Sequence, residues 1–166
     1  MKKLISLATL LFCMAFNAGA ITYEEAFDSI KALPRMKGVD RVLISGDNIF
    51  QLLGITDGQL IVWDGEKNME TAPYYNEIYK IIGQLPPSEM IKSYMTGITG
   101  SILAIFAKPV SENSNRIIIL ADSSGEGATE AIIGYINDDD LQALQKSILV
   151  PRSVGGTSIY MNAINF

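Results

Sequence analysis

The chain has 166 residues and a formal charge of −5, from 13 Lys and Arg against 18 Asp and Glu, with no histidine and one cysteine, Cys13. That length suits one domain, and 48% hydrophobic with 19% charged residues is a folding composition, not a disordered one. The absence of histidine excludes His-based triads and His metal ligands, and an acidic chain without a basic stripe is poorly suited to nucleic acid or anionic lipid.

Residues 1–20 read as a cleavable secretory signal. Lys2 and Lys3 give a positive start, Leu4 to Phe16 is an uncharged apolar run, and Ala18-Gly19-Ala20 places small residues at −3 and −1. The run is too short for a membrane anchor, which needs about 20 apolar residues, so no membrane span is expected after cleavage behind Ala20. Cys13 follows the bulky Phe12 inside this run and is read as a hydrophobic passenger, not a lipidation site. The mature domain, 21–166, then has 11 basic against 18 acidic residues, a net charge of −7. It has no cysteine, which removes disulfides, thiol catalysis and Cys/His zinc sites.

Thr22 and Glu25 have capping-box spacing, and Tyr23, Phe27 and Ile30 form one stripe of a helix ending at Pro34. Val39 to Ser45 is a β-branched strand. Asp47 is placed to cap a short helix, Ile49 to Leu53, stopped by Gly54. Asp57-Gly58 and Asp64-Gly65 are turn dipeptides flanking a strand, Gln59 to Trp63. Pro73 opens a helix with Tyr74, Ile78, Ile81, Ile82 and Leu85 on its apolar face, closed by Pro86-Pro87. Four β-rich runs follow: Met90 to Thr96, Ser101 to Lys108, Arg116 to Asp122 and Thr129 to Asn137. Asp138 to Asp140 are placed to cap a last helix, Leu141 to Ser147. The tail, 150–166, fits a final strand or a loose arm.

The short links between the four late runs cannot make parallel crossovers. The expected fold is α+β: a mainly antiparallel sheet with a four-strand C-terminal meander and helices on one face, in two layers. Apolar residues of both parities in Arg116 to Leu120 also ask for cover on both faces of the sheet's centre. The helix ending near Pro34, GVDRVLISGDNIFQLLG, and the late runs SILAIFAKP, RIIILAD and AIIGYINDDDLQAL together resemble a family of small exported bacterial proteins of unknown function. The resemblance implies export to the envelope, most readily a periplasm. It implies no catalytic residues.

No catalytic or metal constellation stands out, and no cofactor is expected. Asp122, Glu126 and Glu130 flank a glycine-rich loop and Asp138 to Asp140 follow the next strand, a density of carboxylates that could suit calcium or a glycosidase pair but is read first as a hairpin turn and a helix cap. Gly125 to Thr129 lacks the glycine fingerprint and the lysine of a phosphate loop. Ser88 has Ile91 where S-x-x-K needs lysine. Tyr75 and Tyr79, four apart on one helix, and Trp63 are candidate ligand or partner contacts, with core packing the competing reading. The expected role is an exported, non-enzymatic binding module of the cell envelope, acting on an envelope protein or peptide. The alternative is a histidine-free, carboxylate-dependent hydrolase of envelope glycans or peptides. Oligomeric state is left open.

Overall fold

The computed structural model describes residues 20–45, 53–95, 102–122, 128–146, 149–154 and 157–162. In chain order these form α1 (Tyr23–Ala32), β1 (Val39–Ser45), β2 (Ile55–Gly65), α2 (Ala72–Ile82), a 3-10 turn (Pro87–Glu89), β3 (Met90–Met95), β4 (Ile102–Ser111), β5 (Ser114–Asp122), β6 (Thr129–Ile136), α3 (Asp138–Lys146), β7 (Leu149–Val154) and β8 (Thr157–Asn162). The architecture is α+β. Six strands make one open antiparallel sheet in the order β1-β2-β6-β5-β4-β3, and β7 pairs with β8 in a separate two-stranded ladder.

Local chemistry sets the element ends. The Glu25 amide donates to Thr22 Oγ1 at 3.1 Å and the Thr22 amide to Glu25 Oε2 at 2.8 Å, a reciprocal cap that fixes the start of α1. Its buried stripe is Tyr23, Ala26, Phe27 and Ile30. Before α2, Asn68 Oδ1 accepts from the amides of Glu70 and Thr71 at 2.9 and 3.1 Å, a side-chain turn that redirects the chain after β2. The helix stops at Ile82, short of Leu85, and Gly83 forms its C-cap. The last helix is capped by Asn137, whose Oδ1 accepts from the Asp140 amide at 2.8 Å. Asp138 to Asp140 therefore lie in its first turn, not before it.

Asp57-Gly58 is a bulge inside β2, not a turn ahead of it. The β2–β6 register shifts between Thr56 and Gln59, and Asp57 takes φ 48°, a left-handed conformation that aspartate tolerates. The strand thus begins at Ile55. The expected short helix over 49–53 falls largely outside the described residues.

The sheet is buried on both faces. On the first, α1 and α2 pack Phe27, Ile30, Tyr75 and Ile78 against Ile61, Trp63, Phe106, Ile118, Leu120 and Ile133. Arg116 ties α1 down, its Nε 2.7 Å from Glu24 Oε1 and its guanidinium over the Tyr135 ring at 4.4 Å. On the second face, Leu144 and Leu141 of α3 join Ile55, Leu60, Leu103, Ile105, Ile117, Ile119 and Ile132. Hence the helices do not all lie on one face, as a two-layer packing requires. Strands β5 and β6 carry apolar side chains at both parities, so both faces need cover. Among the described residues, no helix is long and apolar enough to cross a membrane.

Candidate functional site

Three features outside ordinary core packing bear on function. The first is at the end of β5. Asp122 is buried, and both its oxygens are engaged. Lys67 and Thr129 donate to Oδ1, the latter at 3.0 Å, and the Tyr79 hydroxyl donates to Oδ2. The Lys67 ammonium also stands 5.4 Å from the centre of the Tyr75 ring. Burial, and then the charge of Asp122, pushes the Tyr75 hydroxyl up to about 12. Burial and the hydrogen bond to Asp122 raise that of Tyr79 above its ordinary value. A carboxylate this fully engaged is a tie. It fastens α2 and the link after β2 to the end of the sheet.

The second is Glu130 in β6. It is 1% exposed, and neither carboxyl oxygen has a hydrogen-bond partner. Its neighbours across the ladders are Val62 and Ala121. Desolvation alone pushes its carboxyl up to about 8. Side chains alternate along a strand, so Glu130 shares the second face with Ile132, while Thr129 and Asp122 share the first. Asp122 and Glu130 thus point to opposite sides of the sheet and cannot form one carboxylate pair. Glu126 lies outside the described residues. Asp138 to Asp140 sit past the far end of β6, where Asp138 accepts from Asn115 Nδ2 and Asp140 from Asn137 Nδ2, each at 2.7 Å. Among the described residues, no group of three or more acidic side chains could hold a metal ion.

The aromatic candidates separate in the same way. Trp63 is 0% and Tyr75 2% exposed, so neither ring faces solvent. Trp63 Nε1 donates to the Tyr74 hydroxyl at 3.2 Å, and the rings of Tyr74 and Tyr75 meet edge to face at 6.1 Å. Tyr79 is half-buried and held by Asp122. The packing reading suits all three. What joins Tyr75 and Tyr79 to one cluster is Lys67 and Asp122, 55 residues apart, and no sequence pattern links those two.

The third feature is the margin of the sheet. Among the described residues, strand β1 is an edge, paired on one side only, with an unbroken register from Val39↔Gly65 to Ser45↔Gln59. Val42 is 53% exposed and Leu43 49%, and these neighbours point to opposite faces. The strand has no proline, glycine or bulge. The opposite edge, β3, differs: its pairing shifts between Met90 and Lys92, and the Lys92 ammonium donates to the Gln145 carbonyl of α3 at 3.0 Å. A bulge and a lysine are two common ways of blunting an edge. Arg41 steadies β1 from behind, donating from Nη1 to the carbonyls of Lys31 and Leu33 at 3.0 and 2.6 Å. Val42 and Leu43 are legible in the sequence as strand residues, but nothing in VDRVLIS marks the strand as an edge. In comparisons with family models, curated proteins and solved structures, the chain matches none.

Proposed function

We propose that this chain is an exported, non-enzymatic interaction module of the cell envelope, which binds an extended segment of another protein by adding it to β1 as a further strand. One observation carries the reading. An edge of seven residues, free of proline, glycine and bulge, offers backbone donors and acceptors beside two half-exposed apolar side chains, one on each face. Such an edge is a template for strand addition, in which backbone bonds supply affinity and alternate side chains supply selectivity. A cleft would grip a ligand from one side. Here the apolar surface lies on both sides of a single strand, so its complement is another strand.

On this reading the late strands, as a C-terminal meander, are the scaffold. They anchor β2 through β6, and β2 carries β1. Export rests on the basic start, apolar run and Ala18-Gly19-Ala20 of residues 1–20. The hydrolase alternative gains no support, because Asp122 is saturated and Glu130 faces the other way.

A photo-cross-linking residue placed at position 43 in the exported protein tests the reading. It should yield a discrete adduct in cells, and the same group at Glu77, exposed on α2, should not. Leu43→Lys together with Val42→Lys should abolish binding while shifting the melting temperature little. Equal adducts at both positions, or none at 43, would refute strand addition. N-terminal sequencing of the protein from the envelope should begin at Ile21.

A further inference from the structure

Resting on strand addition at β1, we infer that the added segment carries a lysine or arginine in register with Asp40, between apolar residues that cover Val42 and Leu43. The ladder places Asp40 directly opposite Asp64, and both are exposed. Opposed residues on neighbouring strands have Cβ atoms about 5 Å apart, and like charges so placed destabilise the pair. Among the described residues no cation forms an ion pair with either carboxylate. The basic residue of β1, Arg41, belongs to the other face and is held by the carbonyls ending α1. The charge beside Asp40 is therefore left for a partner to balance.

A strand laid on the free side of β1 extends each cross-strand row by one side chain. In the row Asp40–Asp64 the new residue lies beside Asp40, and a long basic side chain there reaches both carboxylates. Two residues along, the row Val42–Val62 asks for an apolar residue on the same face. Leu43 asks for one on the opposite face. The fitting segment is extended, apolar on both sides, and basic at one end. A second copy of this chain fits less well. The mature domain's net −7 opposes self-association.

Selection of a random nonapeptide display library against the mature domain tests this. Enriched peptides should carry a lysine or arginine two residues from an apolar position. A synthetic enriched peptide should bind Asp40→Asn/Asp64→Asn at least fivefold more weakly than the parent at low salt. Its Lys→Gln version should not distinguish the two proteins, and 0.5 M salt should narrow the difference. Removing the like-charge opposition should leave the variant folded, which its melting curve checks. Enriched peptides that need β1 but lack a basic residue would overturn this inference and leave strand addition standing. Peptides insensitive to Val42→Lys would overturn both. Dimers in sedimentation that disappear with Val42→Lys would give the edge to a second copy and also overturn the inference.

Discussion

At the scale of single residues, Glu130 is the group whose environment disagrees most with its chemistry. Its carboxyl sits in an apolar layer without a hydrogen bond, and burial raises its titration from an ordinary 4.5 to about 8. The folded protein therefore keeps a proton there up to about pH 8, whereas the unfolded chain releases it near 4.5. Between those values the unfolded state binds fewer protons, so stability falls as pH rises from about 4.5 towards 8. Glu130→Met should stabilise the protein by about 1–3 kcal/mol more at pH 7 than at pH 4. Melting curves across that range check it, and an unchanged pH slope would reject a buried neutral acid. Asp122 presents the converse case. Asp122→Asn should cost about 2–4 kcal/mol, since Lys67 loses its counter-charge in a partly buried position. Tyr79→Phe should cost about 1–2 kcal/mol, removing one donor and leaving the ring in place. Denaturant titrations measure both.

At the scale of elements, the start of α1 is legible in the sequence because its signal is local and unambiguous. Thr22 and Glu25 announce α1 because both halves of the cap lie within four residues. The cap of α3 is ambiguous in the sequence, because Asn137 stands beside three aspartates of equal capping chemistry, and the structure gives the role to Asn137. The bulge at Asp57-Gly58 reads as a turn because the dipeptide offers the same left-handed backbone to either; pairing with β6 makes the difference. Gly134 bears on that bulge. A Cβ there would lie 2.4 Å from Ile55 Cγ2, so Gly134→Ala should cost about 1–3 kcal/mol through overpacking. Arg41→Ala should lose about 1–2 kcal/mol by freeing the carbonyls that end α1. It should also speed hydrogen exchange in β1 more than in β5, because the edge strand loses its anchor to the helix.

At the scale of the whole molecule, folding has to rest on packing. The stretch 21–166 contains no cysteine. Its melting temperature should accordingly be indifferent to dithiothreitol and to EDTA; a drop of several degrees with either would point to a bound metal or an unsuspected cross-link. The two apolar layers supply the packing, one beneath α1 and α2 and one that includes α3. Strand periodicity, the cap of α1, the absence of histidine and the excess of acid over base were settled by the sequence itself, because each depends on residues close in the chain or on composition alone. Strand order was not, nor the opposite facing of Asp122 and Glu130, the meeting of Lys67 with Asp122, or the position of β1 at the margin. Those depend on which strands become neighbours, and that choice is made by burying both faces of the sheet at once, a condition that no local stretch of sequence encodes.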